Sequence, residues 1–286
     1  MSLKGKTGIL FGAGAIASGY VQLFADEDMN LVLVGIDDTA ERLAEGISVK
    51  DGRKIIHLNS DARDAAKIQE VYDSTAEEFG HIDVVVNGAG GNRPEAMVDG
   101  LETFANMDPK VEKWMMDLNY FSKRFSLQSF AKHLMGKDHK GRTVNITSMA
   151  GFRSLSKGID YAAAYSAVER LTKGVAYLFG QEGIGEVNNV AVGFTIGDQN
   201  RALLQNADGT PTPRAGEILA YTAGGRFLDV KEIGPHVVYL ADASKSEVIT
   251  GQTLRVDLGY GTVDIAGTAG YRKKNSRKIC NEGIKC

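Results

Sequence analysis

The chain has 286 residues, 43% of them hydrophobic and 24% charged, enough apolar content to bury a full α/β core in one domain without demanding a second. Its formal charge of −3 hides a gradient, because residues 271–286 carry six Lys/Arg against one Glu and the body is left acidic. An acidic body argues against nucleic-acid binding, which needs a basic face rather than a short basic end, and no apolar run reaches membrane-spanning length.

The opening "MSLKGKTGILFGAGAIASGYVQLFA" offers the charge, apolar run and small residues of a signal peptide, but its Gly-rich middle continues into a strand-like run. It therefore reads as a first β-strand, a turn and a helix. Along the chain, "TGILFG", "NLVLVGID", "KIIHLN", "IDVVVNGAG", "GRTVNITS", "VNNVAVGF" and "QTLRVDLG" are expected as strands, apolar on both faces as in a covered parallel sheet. Helical patterns fill the gaps: "AIASGYVQLFADE", "AAKIQEVYDSTAEEFG", "VEKWMMDLNYFSKRFSLQSFAKHLMG", "YAAAYSAVERLTKGVAYLFGQEG" and "VKEIGPHVVYLAD". This alternation predicts a single doubly wound α/β domain over residues 1–268, with a parallel sheet of about seven strands, helices on both faces and right-handed crossovers. The least regular stretch, within residues 190–228, is expected to be a substrate lid inside that domain. Residues 269–286 read as a solvated basic tail. Both cysteines, Cys280 and Cys286, lie in it, so no disulfide staples the fold, and a reducing cytoplasmic setting is expected.

Gly12, Gly14 and Ala17 follow the first strand in G-x-G-x-x-A spacing, with Ala15 and Ile16 inside the turn. Such a turn brings backbone close to a pyrophosphate and aims helix N–H groups at it. Asp37, twenty residues past Ala17, and its neighbour Asp38 stand where an acid can bind the adenosine ribose. No basic residue stands where a 2′-phosphate would need one, so NAD is expected in preference to NADP. Asp61 and Ala62 after the third strand, Asn87, Gly88, Ala89 and Gly90 after the fourth, and Gly193 after the sixth fall at strand ends, where such a sheet opens its dinucleotide crevice.

With Asn119 in "DLNYFS", Ser148 in "NITS", Tyr161 thirteen residues beyond that serine, "VNNVAVGF" and "ITGQTLRVDLG", roughly residues 3–260 resemble the short-chain dehydrogenase/reductase family, of Rossmann type. "NGAGGNRPEA", "DQNRALLQNADGTPTPRAGEIL" and "GGRF" are similar to its D-mannonate oxidoreductase (fructuronate reductase) branch. The resemblance implies Tyr161 as general acid/base, Ser148 polarising the substrate carbonyl and Asn119 supporting a proton-relay water, in dimers or tetramers. Reducing a ketone by hydride needs a proton donor and a hydrogen-bond donor where negative charge grows, and Tyr and Ser hydroxyls supply both.

Three departures stand out. The glycine turn starts Phe11-Gly12 and is shorter than the family's, Val192 and Gly197 replace a Pro and a Thr, and Tyr165 occupies the position of the family's lysine. In the family that lysine bonds the nicotinamide ribose and lowers the pKa of the catalytic Tyr. Tyr165 shares a helical face with Tyr161 and can bond a ribose oxygen, but it supplies no charge. Lys173 is twelve residues away, about 18 Å by helical rise, while Arg153 and Lys157 lie on the loop before Tyr161. A weakened acid/base centre is the expectation.

A sugar acid needs a carboxylate clamp, for which Arg93, Arg153 and Arg201 are candidates, together with Asn92, Gln199 and Asn200. The five histidines lack metal-ligand spacing, so no metal is expected. Three functions stay open: an NAD-dependent oxidoreductase of a mannonate/fructuronate type of sugar acid, a dinucleotide-binding scaffold or sensor that lost its chemistry, and a dehydrogenase of another polyol or oxo substrate.

Overall fold

The computed structural model describes residues 2–50, 52–153, 155, 157–197 and 200–262. Gln199 and the tail with Cys280 and Cys286 lie outside the described residues. The chain divides into two compact units, one running to Val192 with Val230–Arg255 added, the other made of Gly193–Asp229 and the segment from Val256 on.

The described residues form a seven-stranded sheet: β1 (Thr7–Phe11), β2 (Asn30–Gly35), β3 (Ile55–Asn59), β4 (Val84–Asn87), β5 (Gly141–Ser148), β6 (Gly185–Val192) and β7 (Thr253–Val256). Their order is β3-β2-β1-β4-β5-β6-β7, and the pairs from β3 through β6 are parallel. The step from β1 to β4 reverses the direction in which the sheet grows, which creates the switch point of a doubly wound fold. β1, β4 and β5 are buried at every residue, whereas edge strand β3 exposes His57 and Asn59. The apolar runs of the central strands are what a sheet covered on both faces requires.

The helices are α1 (Val21–Asp26), α2 (Thr39–Glu45), α3 (Ala65–Phe79), α4 (Leu101–Ala105), α5 (Pro109–Met116), α6 (Ser122–Leu134), α7 (Ile159–Glu182), α8 (Arg201–Leu204), α9 (Pro213–Ala220), α10 (Gly234–Ala241) and α11 (Ala243–Ser246). Ile68, Val71 and Tyr72 of α3, Leu127 and Phe130 of α6, and Phe179 of α7 cover one sheet face and meet Ile9, Val32 and Val85. Asp64 caps α3 by accepting from Ala66 and Lys67, and Asp108 caps α5 ahead of Pro109. No helix among the described residues is long and apolar enough to cross a membrane.

Three expected helices are broken, the last of them into a 3₁₀ turn over Val230–Glu232 followed by α10. The first becomes a 3₁₀ turn over Ala17–Gly19 followed by α1, with the Ser18 hydroxyl donating to the Ala15 carbonyl at 2.7 Å. The long pattern that begins at Val111 is interrupted by a π turn over Asp117–Phe121. There the Asn119 side chain donates to the Met115 carbonyl at 2.9 Å, the acceptor that an α-helix would reserve for its backbone.

The second unit has its own small core, Leu204, Ala215 and Ile218 with Phe194, Ile196 and Phe227 around them. Thr212 caps α9 by accepting from Ala215, with Pro213 in the first turn.

A ladder of buried asparagines crosses the middle of the sheet. Asn87 of β4 donates to Asn145 of β5 at 2.9 Å, and Asn145 donates to Asn189 of β6 and to Thr172 of α7, each at 3.1 Å. Parallel register sets the three side by side. Asn145→Ala strands partners on both neighbouring strands, and the expected loss is on the order of 3 kcal/mol, read as a lower urea midpoint with unchanged slope.

Candidate active site

Where β1 and β4 leave the sheet, their turns touch backbone to backbone. Gly12 has φ +73°, its N–H donates to the Val34 carbonyl at 2.9 Å, and a Cβ there would stand 2.3 Å from the Ala89 nitrogen. Only glycine meets both conditions. Gly14 has open space where a Cβ would be, Ala15 is exposed beside it, Ile16 is half-buried and Ala17 is buried. This is a floor of bare backbone with room above it, as a pyrophosphate needs.

Asp37 and Asp38 are exposed beyond β2. Hydrogen bonds from Thr39 hold the Asp37 carboxyl below its ordinary pKa, so it stays ionised. Arg42, one helical turn on, has its guanidinium paired to Asp38. Asp61 is gripped by Arg63, whose Nη2 lies 2.6 Å from Oδ2, and that fork lowers the Asp61 pKa. Ala62 beside it is buried. Asn87 is buried in the asparagine ladder, Gly88 donates to the Phe11 carbonyl at 2.9 Å, and Gly90 is exposed.

Ser148 ends β5, and its hydroxyl accepts from the Ala150 N–H at 3.1 Å. Tyr161 lies in the first turn of α7, and Tyr165, one turn later, is 5% exposed. Their rings meet edge to face, centroids 4.7 Å apart. Burial pushes both phenols up, Tyr165 well above the ordinary value. The hydroxyls of Ser148 and Tyr165 are the hydrogen-bonding neighbours of the Tyr161 phenol and pull it back down. Of the two phenols, Tyr161 is thus arranged to give up its proton and Tyr165 to keep it.

Asn119 clamps the loop after β4: its Oδ1 accepts from the Gly91 N–H and its Nδ2 donates to the Gly91 carbonyl, both at 2.9 Å. With Met115 also bonded, its amide keeps only a second lone pair of Oδ1 for a water. A Cβ on Gly90 would stand 2.4 Å from Tyr165 Oη, 3.1 Å from Asn119 Oδ1 and 3.7 Å from Lys123 Nζ. Three polar groups therefore converge on one missing side chain. Lys123 escapes the sequence reading, although its spacing holds the signal: Asn119, Ser122, Lys123, Ser126 and Phe130 form the buried stripe leading into and along α6.

The other candidate residues are more scattered. Asn92 is exposed, and its Oδ1 accepts from the Arg93 N–H. Arg93 is paired with Glu95 at 2.9 Å and stacked on Trp114, 4.9 Å from its centroid. Arg153 lines a cavity of about 340 Å³ with Phe152, Leu155, Ile159 and Ala162. Lys157 is exposed and paired with Asp99. Gly193, Asn200 and Arg201 belong to the second unit. Gly193 packs against Asp257, a Cβ there standing 2.7 Å from the Asp257 Cα. Asn200 pins its own loop, accepting from Gly197 and donating to the Thr195 carbonyl at 2.8 Å each, and exposed Arg201 reaches Gln205 at 3.2 Å. Among the described residues no group of His, Cys, Asp and Glu is placed to hold a metal ion.

Residues 12–261 match the family profile described as enoyl-(acyl carrier protein) reductase. An uncharacterized oxidoreductase of Haemophilus influenzae is 31% identical over 271 residues, covering 91% of this chain and 94% of that protein. A 2-dehydro-3-deoxy-D-gluconate 5-dehydrogenase of Escherichia coli is 31% identical over 263 residues, covering 91% and 96%. The crystal structure of a candidate D-mannonate oxidoreductase from Haemophilus influenzae, with bound NAD, superposes with a TM-score of 0.84 at 30% identity, covering 92% of this chain and 97% of that one.

The folded chain holds a Tyr165 proton that an unfolded chain releases near the ordinary value of 10.0. Native protein therefore binds more protons than unfolded protein above that pH, and stability falls as pH rises through it. Tyr165→Phe is expected to flatten this alkaline loss, measured as urea midpoints across the alkaline range.

Proposed function

The chain belongs to the short-chain dehydrogenase/reductase family, and from that premise we propose that it is an NAD-dependent oxidoreductase interconverting a secondary hydroxyl and a ketone on a sugar acid of the mannonate/fructuronate type. The observation that carries the reading is the grouping of Ser148, Tyr161 and Tyr165 hydroxyls at the ends of β5 and α7. The substrate class is supported by the sugar acids in the names of two relatives.

The residues present fit a dinucleotide. Gly12 and Gly88 give a floor without side chains, Gly14 has open space over it, and ionised Asp37 is available to ribose hydroxyls. Ala15, Ile16 and Ala17 would complete the pyrophosphate turn, with Asp38, Asp61, Ala62, Asn87, Ala89 and Gly90 along the crevice; Gly193 completes the proposed set. When bound, the nicotinamide supplies or accepts the hydride.

The chain's own residues handle the proton. In the reducing direction the Tyr161 phenol gives its proton to the oxygen of the former carbonyl, while Ser148 donates a hydrogen bond to that oxygen as charge gathers on it. Tyr165, keeping its own proton, donates toward the Tyr161 phenolate that remains. Asn119 holds Gly91 and so the shape of the loop beside the reacting group. Arg153, at its cavity, is the proposed carboxylate contact, with Asn92 and Arg93 as further candidates in the same unit, while Gln199, Asn200 and Arg201 stay candidates on their sequence.

Tyr161→Phe is expected to lower fructuronate-dependent oxidation of NADH by at least about 100-fold while NADH binding, followed by fluorescence, stays intact. Unchanged turnover would place the proton donor elsewhere. Arg153→Met is expected to raise KM for fructuronate on the order of 10-fold with kcat little changed, and to leave an uncharged ketose unaffected. An equal effect on both sugars would remove Arg153 from the carboxylate site.

A further inference from the structure

Position 165 holds a tyrosine where relatives of this fold use a lysine, so the polypeptide lacks a cation on α7 beside its acid/base phenol. A cation reaches the same place from another element. Lys123 is only 1% exposed, and its ammonium donates to the Ala89 carbonyl and lies 5.6 Å from the centroid of the Tyr165 ring. It also borders the space that a side chain on Gly90 would fill, together with Tyr165 Oη and Asn119 Oδ1.

We propose that Lys123 replaces the lysine missing from position 165: its ammonium sits behind Tyr165 and, acting through the Tyr165 ring and hydroxyl, favours the phenolate of Tyr161. Lys123 is thus a positioning residue of the acid/base centre. The proposal rests on the oxidoreductase reading, because a buried ammonium without a carboxylate partner gains a counter-charge when negative charge develops beside it.

The surroundings carry that argument. The titratable group facing Lys123 is Tyr165 of α7, whose ring in turn meets Tyr161; the loop after β4 contributes the Ala89 carbonyl and Gly90, and the π turn contributes the Asn119 amide. On the α3 side the Tyr72 phenol is engaged by Ser126 at 2.9 Å, one turn further along α6. No carboxylate acts on the lysine: burial alone pushes its pKa down, to about 7. Removing an ammonium from water without a counter-charge is unfavourable, and such a site persists where the charge serves a reacting group. A phenolate at Tyr161 is that counter-charge: as it forms it raises the pKa that burial has lowered at Lys123, while the ammonium lowers that of the phenol, and the two titrate as a coupled pair. The exchange of positions also adds something, since Tyr165 provides a hydroxyl donor toward Tyr161 that a lysine alone does not.

The test uses the full chain and three variants, Lys123→Met, Lys123→Arg and the exchanged double variant Lys123→Met with Tyr165→Lys. Alcohol oxidation requires the phenolate, so kcat/KM rises with pH along a limb that reports Tyr161. Lys123→Met is expected to move that limb up by on the order of half a pH unit, because the charge acts across the Tyr165 ring and not at contact distance. Lys123→Arg should keep the limb near its native place, and the double variant should return it there. A merely structural lysine would lower kcat at every pH without moving the limb, and that result overturns the proposal. A second readout needs no turnover: tyrosinate absorbance of the cofactor-free protein should show one phenol ionising later in Lys123→Met than in the native chain. An unmoved curve in a variant that still binds NADH also overturns it. Should Lys123→Met fail to fold, Lys123→Gln carries the same two measurements. If no sugar acid is turned over, the absorbance titration still decides the role of Lys123 while the substrate reading falls by itself.

Discussion

The structure depends on a steric constraint: at the switch point, several chain segments share a space too small for side chains. Gly12 lies against Gly88 and Ala89 with no room for a Cβ, and Gly90 lies under the Tyr165 hydroxyl. Parallel strands β1 and β4 diverge here toward helices on opposite faces, so their turns open a crevice floored by amides. Larger residues at 12 or 90 would push the turns apart and separate the phenols from the loop they rest on. The proposed cofactor floor and the proposed acid/base centre both depend on this close approach.

Burial of polar groups is the second organising feature. The sheet centre holds Asn87, Asn145 and Asn189 in register, each bonded to the next, and the site above it holds Ser148, Tyr161, Tyr165 and Lys123. Such groups are tolerated in a low-dielectric interior when their bonding is satisfied, and the asparagine ladder largely meets that condition. The Asn87 Oδ1 and the Tyr20 hydroxyl, next to Gly88, are buried without a partner among the described residues. Lys123 has one carbonyl for its ammonium and no carboxylate, which is why its charge is available to a neighbouring phenol.

The sheet is legible in the sequence, because strands buried on both faces show as uninterrupted Val, Ile and Leu runs, and the glycine turn, Ser148 and Tyr161 are legible as spacings. Helix continuity is not. Asn119 breaks the helix between α5 and α6 by bonding a carbonyl that hydropathy cannot see, and Gly19 sits at the join of a 3₁₀ turn and α1. Lys123 is hidden because nothing in the local pattern of α7, or of the loop before it, points to a cation arriving from α6.

Sequence alone determined the alternation of strands and helices, the glycines of the cofactor turn and the Ser148 to Tyr161 spacing, since each is a local pattern of side-chain size and period. It also determined that position 165 carries no charge. Tertiary structure alone decided which residues from distant elements share the site: Ala89 and Gly90 from the loop after β4, Asn119 and Lys123 from the turn and helix after α5, Tyr161 and Tyr165 from α7. The physical reason is that burial and electric field depend on distance through space. Lys123 and Tyr161 stand far apart along the chain, and their separation in sequence says nothing about that distance until the sheet brings α6 and α7 together.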